Sequence, residues 1–386
     1  MTGDESGDRD ADGDDRERDD STRALDAASA DGDAPLAAVV VKPRAEVATA
    51  GLRAEGVYDD DRAVRAFDAD TVALPVTEAP QETQVRRVVR QPDPEYRSRD
   101  LADYLRDRGW SEDDVAAAPG SWAVVGSVVL VDDGDYHDDA ELGDALLELH
   151  GDADTVCVRS GVTGVHRTPD LRVIAGSGDT ETVHVEHGTR YALDCAKVMF
   201  SPGNQAERVH MGDVVSEDER VLDMFAGIGY FALPMARADA DVTAVELNPE
   251  AYRYLVENAQ LNDVTANLQA ILGDCRDVDA TADRVVMGYY GVSERDDESD
   301  QGEASTDADR NQEAFDYLDA ALDALEPGGV LHLHAAVHES ELPDGPADRL
   351  RDAVAAAGRD ATIDDVRTVK SHSAGVAHVV VDATVD

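Results

Sequence analysis

The stretch Arg220-Val-Leu-Asp223-Met-Phe-Ala-Gly227-Ile-Gly229-Tyr-Phe-Ala232-Leu-Pro-Met-Ala-Arg237 joins a short apolar run, an acid, two closely spaced glycines and a helical pattern. The apolar run predicts a buried strand ending on Asp223. Glycines directly after a strand let the backbone turn tightly and approach a ligand. The next strand, Val242-Thr-Ala-Val-Glu246, also ends on an acid. At about 20 residues past the glycines, a carboxylate can accept hydrogen bonds from both hydroxyls of a ribose. The six-residue glycine pattern that binds phosphates is incomplete, since Ala232 follows Gly229-Tyr-Phe. A nucleoside without phosphate fits better than a dinucleotide. A third strand, Ala266 to Leu272, runs into Gly273-Asp274-Cys275, where an acid and a backbone amide suit an adenine edge. Three such strand ends in succession predict a site for S-adenosylmethionine.

Downstream, Ala282 to Gly288 reads as a fourth strand followed by Tyr289-Tyr290. A helix over Asp316 to Leu325 stops at Pro327-Gly-Gly, and Val330 to Val337 is a fifth strand. A helix over Arg349 to Ala357 precedes a closing hairpin, Asp364 to Lys370 with Ala377 to Thr384. This α/β order is that of the Rossmann-like class I S-adenosylmethionine-dependent methyltransferase fold. Its site is expected outside the carboxyl ends of the strands.

Upstream, residues 1–33 carry 13 acids and 4 bases with almost no apolar pattern, which predicts a disordered tail. A strand over Leu36 to Lys42, a helix through Leu52 and a strand over Thr71 to Thr77 predict a small α/β module, residues 34–83. Residues 84–210 then form a linking or RNA-binding α/β region, and residues 211–386 the catalytic domain, with an acidic loop at 291–313. Gln84 to Arg108 has seven arginines against five acids, read either as a charge-paired helical face or as a phosphate contact. Trp122 to Val131 reads as paired strands, Asp139 to His150 as a helix, and Asp170 to His187 as a hairpin.

The chain has 386 residues, 42% of them hydrophobic, enough for a sizeable core in two or three domains. With only 5% aromatics, that core relies on Ala, Val and Leu. Acids outnumber bases 84 to 34, a net charge of −50, and the only lysines are Lys42, Lys197 and Lys370. Such a surface is well solvated in molar salt and fits a halophilic cytoplasm. No apolar run reaches the roughly 18 residues of a membrane span, and no signal peptide is read at the N-terminus. Cys157, Cys195 and Cys275 form no CxxC pair, so neither a disulfide framework nor a metal site is expected.

Phe200-Ser-Pro-Gly-Asn-Gln-Ala-Glu-Arg208, ahead of Asp223-Met-Phe-Ala-Gly-Ile-Gly-Tyr-Phe, resembles a family of archaeal and eukaryal enzymes. They act on the guanosine just 3′ of the tRNA anticodon. The family includes the guanosine-N1 methyltransferase and the wybutosine-synthesis aminocarboxypropyltransferase. The resemblance spans Leu36 to the C-terminus and is most specific from Arg172 to Gly288. It implies a smaller N-terminal α/β substrate-binding region ahead of the Rossmann-like domain, with the tRNA anticodon loop as partner. The methylating branch carries Asn-Leu-Pro or a close variant after the fourth strand. Here Met287-Gly288-Tyr289-Tyr290 stands in that place, which resembles the aminocarboxypropyl branch. That branch turns the same cofactor so that a different carbon faces the nucleophile.

The resemblance implies cofactor contacts from Ser201, Arg208, Glu246, Asp274 and Cys275. The strand-end logic adds Asp223, Phe225, Gly227 and Gly229. Arg208 suits the methionine carboxylate, since a guanidinium fork matches it. Glu207 is a candidate base by its match to an acid of the methylating branch, or a salt-bridge partner of a neighbour. Tyr289 is a candidate for stacking on the target base, or a core aromatic. Arg86, Arg87, Arg159 and Arg167 are candidate tRNA contacts. His184, His187 and His210 read as surface or packing residues. A methyltransferase and a non-catalytic RNA-binding protein are the alternative expectations.

Overall fold

The computed structural model describes residues 34–288, 314–373 and 375–386. The expected tail, the acidic loop and Tyr289-Tyr290 lie outside the described residues.

The chain forms two units, one ending at Asp100 and one beginning at Leu101. In the first, four antiparallel strands lie in the order Arg65–Ala66, Thr71–Val76, Leu36–Val41 and Arg87–Arg90. Helix Ala45–Ala54 packs Ala48 and Leu52 onto Val40, Leu74 and Val76. The arginine-rich segment is not one helical face. Arg87–Arg90 pairs with Leu36–Val39, and a helix starts only at Leu101. Val88 and Val89 favour a strand, and Pro92 and Pro94 bar a helix between the two.

The second unit opens with a four-stranded sheet, Ala123–Val125, Val128–Asp132, Thr155–Thr163 and Thr168–Gly176. Helices Leu101–Asp107 and Asp139–Leu149 cover one face, burying Leu105, Leu142 and Leu146 with Trp110. The expected hairpin over Asp170 to His187 is a different one. Thr168–Gly176 turns back on Thr155–Thr163, and Glu181–Glu186 pairs with Thr189–Asp194. The second pairing is set by the two-residue turn His187-Gly188, where both φ values are positive (47° and 79°), as a tight primed turn requires.

Seven strands make the main sheet. Their order is Leu268–Leu272, Asp241–Glu246, Arg220–Asp223, Ala282–Met287, Leu325–His338, Val376–Val385 and Ala361–Ser373. The first five run parallel, and Val376–Val385 is antiparallel to both its neighbours. One face is covered by the helices Gln205–Val214, Ala232–Arg237 and Pro249–Leu261, around Met211, Leu233, Tyr254 and Leu255. The other takes Leu318–Ala324 and Asp344–Ala356, around Leu318, Leu322, Leu350 and Val354. Because both faces are buried, the central strands are largely apolar, with buried Arg284, His332 and His334 as the polar exceptions.

Candidate S-adenosylmethionine cleft

The carboxyl ends of the parallel strands open into one cleft, lined by Ser201, Arg208, Phe225, Gly227, Glu246, Asp274 and Cys275. Asp223 lies beneath it, fully buried, and its Oδ1 accepts from the Phe225 amide at 3.3 Å. Its Oδ2 is buried with no hydrogen-bond partner among the described residues. Burial pushes this carboxyl up to about 7, with the nearby Glu246 charge adding to the rise.

Gly227 and Gly229 have φ of +57° and +103°. A Cβ on Gly227 would stand 2.2 Å from the Tyr230 ring, and one on Gly229 would stand 2.7 Å from Leu233 Cγ. Gly227 faces the cleft, whereas Gly229 packs behind it. The turn aims the Gly227 amide at Glu246 Oε2 (2.7 Å), and the Asn248 amide donates to Oε1 at 2.7 Å. Two amides thus fix the carboxylate at the lining of the cleft. Burial raises the Glu246 carboxyl above its usual range.

Asp274 is held by Arg276, whose Nε and Nη2 donate at 2.9 and 2.5 Å. This guanidinium keeps the carboxyl below its usual range. Arg276 also lies over the Tyr317 ring, which meets Phe225 edge-on, so an aromatic wall rises on this side. Burial pushes the Cys275 thiol up to about 12, so its side chain is inert and its place in the cleft is one of shape.

On the opposite wall, Lys370 Nζ donates to Ser201 Oγ at 2.7 Å. Arg208 grips Glu186 with Nε and Nη2 (2.6 and 2.8 Å) and donates from Nη1 to the Ser201 carbonyl at 3.0 Å. Its fork is therefore taken up by protein. Burial opposes the charge on Glu186, but hydrogen bonds from His184 and Arg208 outweigh it and lower its pKa. His184, read as a packing residue, thus belongs to the support of this wall, its Nε2 lying 3.0 Å from Glu186 Oε1. Glu207 does not line the cleft and pairs with Arg367, not with its neighbour Arg208. Gly288 lines it, close under Phe231, while Tyr289 lies outside the described residues.

Sequence reasoning named Arg167 only as a tRNA contact and missed its neighbours Val165 and His166, although the turn of all three lines the cleft from the Thr155–Thr163 and Thr168–Gly176 strand pair. It also missed Asn248, which caps helix Pro249–Leu261 through Glu250 N and donates from Nδ2 to the His166 carbonyl. Asn-Pro after a strand is a helix-start signal that marks this residue. The 165–167 turn carries no comparable signal.

A nucleoside with a sulfonium arm fits what the cleft offers. It holds a fixed acid for two hydroxyls, a glycine floor with no room for a side chain, and aromatic walls. No cluster of metal-binding side chains occurs among the described residues, and no helix there is long and apolar enough to cross a membrane.

Comparison with known proteins agrees. Residues 182–296 match the TRM5/TYW2 methyltransferase domain, and residues 101–180 the TYW2 N-terminal domain. A Methanocaldococcus jannaschii protein named tRNA(Phe) (4-demethylwyosine(37)-C(7)) aminocarboxypropyltransferase is 39% identical over 226 residues, 58% of this chain and 82% of its own. A Pyrococcus horikoshii protein of the same name is 34% identical over 282 residues, 71% of this chain and 92% of its own. The crystal structure of Pyrococcus horikoshii TYW2 in complex with MeSAdo has a TM-score of 0.59 at 32% identity. It covers 74% of this chain and 97% of that one. Trm5b from Pyrococcus abyssi has a TM-score of 0.66 at 26% identity, covering 91% and 99%. With two models spanning half of its length and relatives matched over most of theirs, the chain belongs to the TRM5/TYW2 family of S-adenosylmethionine-dependent transferases.

Proposed function

We propose that this chain is a tRNA(Phe) (4-demethylwyosine(37)-C(7)) aminocarboxypropyltransferase working in a salt-rich cytoplasm. The 39% identity to the jannaschii protein of that name carries the reading. The sequence supports it, since Met287-Gly288-Tyr289-Tyr290, running on from the fourth strand, contains neither Asn nor Pro. When bound, S-adenosylmethionine would supply a sulfonium-activated carbon chain; C7 of the base would attack it, the sulfur–carbon bond breaking to leave methylthioadenosine and C7 losing its proton to solvent. The chain's own part is to orient that carbon. Glu246 holds the ribose, Phe225 and Tyr317 together form one aromatic wall against the adenine, and Ser201 and Arg208 form the wall on the methionine side. Asp274, Cys275 and Gly227 shape the floor around it, with Gly229 packed behind. Because Glu186 occupies the Arg208 fork, we assign Arg208 to holding the Ser201 carbonyl instead of the methionine carboxylate.

A second cleft shares Arg167, Met199 and Ser201 with the first and adds Arg159 and Lys370 beside Asp132 and Asp133, with Arg159 paired to Asp132. These cations, in a chain of net charge −50, suit the phosphates beside the target nucleotide. Arg86 and Arg87 in the first unit are further tRNA contacts in this proposal. In molar salt such contacts act by direction and shape more than by counterion release.

The test is incubation with chain-labelled S-adenosylmethionine and tRNA carrying 4-demethylwyosine at high potassium chloride. Label on the nucleoside with methylthioadenosine as co-product is expected. The methylating reading draws on a Pyrococcus abyssi Trm5b relative, 32% identical over 237 residues. It requires methylguanosine, formed in a parallel incubation with an unmodified transcript, with S-adenosylhomocysteine as co-product, and either product excludes a purely RNA-binding role.

A further inference from the structure

Glu207 and Arg208 are neighbours on helix Gln205–Val214, yet they serve different partners. Glu207 is 4% exposed, and Arg367 donates to both its oxygens, Nη2 to Oε1 at 2.6 Å and Nε to Oε2 at 3.0 Å. Arg367 also donates to Asp382 Oδ2, and Asp382 Oδ1 lies 2.6 Å from His332 Nδ1. Arg284 Nη1 lies 2.5 Å from His332 Nε2. An arginine can only donate, so His332 accepts at Nε2 and donates from Nδ1 to Asp382. Arg284 continues to Glu219 (2.8 Å) and to the Val214 carbonyl at the end of the same helix (3.1 Å).

The helix is thereby clamped at both ends to the sheet, by Arg367 at its start and by Arg284 at its finish. Lys370 adds a third hold through Ser201. In a regular strand, residues 367 and 370 face opposite sides. Here the pairing slips by one residue between Thr368 and Lys370, so Arg367 sits opposite Val380 and Lys370 opposite His378. Those partners are two apart, and both cations reach the same face.

We infer that Arg367 and Lys370 are positioning residues for the Ser201–Arg208 wall of the cofactor cleft, with Glu207 serving as the anionic partner of Arg367 and not as a proton acceptor. The inference rests on the cleft being the S-adenosylmethionine site. Both Glu207 oxygens are engaged and the side chain does not line the cleft, whereas a base must reach its proton directly or through one water. The segment that Glu207 anchors carries Ser201 and Arg208, which do line it.

The experiment is calorimetry of S-adenosylmethionine binding at high potassium chloride, with steady-state transfer assays across pH. It compares Glu207→Gln, Arg367→Met, the double variant and Lys370→Met. Arg367→Met is expected to weaken binding about tenfold, the scale of one lost charge-assisted bond. Glu207→Gln should move the dissociation constant in the same direction and leave the shape of the pH profile alone. The double variant should be no worse than Arg367→Met, because the two changes break one interaction. If Arg367→Met does not fold, Lys370→Met carries the test, with a loss of about fivefold in binding expected for its single hydrogen bond. Unchanged binding in whichever of these two variants folds overturns the inference. So does a Glu207→Gln protein that binds like wild type yet loses over about a hundredfold in kcat together with one limb of its pH profile. A wild-type protein that binds S-adenosylmethionine but modifies no tRNA would sink the proposed function, while the binding constants would still decide the clamp.

Discussion

Asn248 Nδ2 donates to the carbonyl of His166 at 3.1 Å, tying the start of helix Pro249–Leu261 to a turn 82 residues earlier in the chain. The same residue donates its backbone amide to Glu246, and its Oδ1 accepts from the Glu250 amide. One asparagine thus caps a helix, steadies the strand-end acid and holds the 165–167 turn over the cleft. Asn248→Asp keeps the cap but removes the amide donor, while Asn248→Ala removes both. We expect Asn248→Ala to lower Tm by a few degrees, as an N-cap loss of about 0.5–2 kcal/mol implies. Asn248→Asp should keep most of that stability and still weaken S-adenosylmethionine binding. Equal binding by Asn248→Asp and wild type in calorimetry would show that the turn needs no tether.

Glycine at 227 is a requirement of both backbone and space. At φ +57° with a Cβ 2.2 Å from the Tyr230 ring, Gly227→Ala must move either the turn or the ring. The strain alone is of order 1–2 kcal/mol for a non-glycine residue in the left-handed region. It also shifts the amide that holds Glu246. Gly227→Ala is therefore expected to fold with a lower Tm and to lose measurable cofactor binding. Isothermal titration giving a wild-type dissociation constant would refute this.

In the proposed site, Glu246→Ala removes the charged acceptor for the ribose hydroxyls. A hydrogen bond to a charged group is worth about 1.5–3 kcal/mol, so binding should weaken by roughly one to two orders of magnitude. Glu246→Gln should fall in between, since one oxygen remains as acceptor. Glu246→Ala also leaves the Gly227 and Asn248 amides without their acceptor and should lower Tm, a loss offset in part because burial makes the wild-type charge a cost to the folded chain. A lower Tm with unchanged S-adenosylmethionine binding would mean that the carboxylate is chiefly structural.

What the sequence makes legible follows from how local each signal is. Asp223, Gly227, Gly229 and Glu246 lie within one strand–turn–helix–strand unit, so their spacing alone implies a shared site. The partner of Glu181–Glu186 was not legible from alternation, because several strands alternate alike. The His187-Gly188 turn decides it, and only its positive φ values reveal that role. The bond between Glu207 and Arg367 joins positions 160 residues apart, through a one-residue slip that no periodicity shows. His332-Leu-His334 did carry a signal, since a polar alternation in an otherwise apolar strand marks a face with its own hydrogen-bonded partners. Burial lowers the basicity of both imidazoles, that of His334 to about 3, so they act as neutral members of the sheet.

Asp223 gives the structure a pH dependence of definite sign. Its carboxyl is fully buried, and burial raises it to about 7, against roughly 3.9 for an aspartate in an unfolded chain. Between those values the folded protein keeps a proton that the unfolded chain has released. Stability attributable to this group therefore falls as pH rises through the window, and the full cost is present above the folded value. Asn has nearly the same shape and carries no charge, and its side-chain oxygen still accepts from the Phe225 amide. Asp223→Asn is therefore expected to melt above wild type at about pH 8, and by a clearly smaller margin at about pH 5, where the wild-type carboxyl is largely protonated when folded. Scanning calorimetry of both proteins in the same potassium chloride concentration measures the margin directly. A margin independent of pH, or a wild type that is the more stable at about pH 8, would mean that the folded chain carries Asp223 ionised and stabilised.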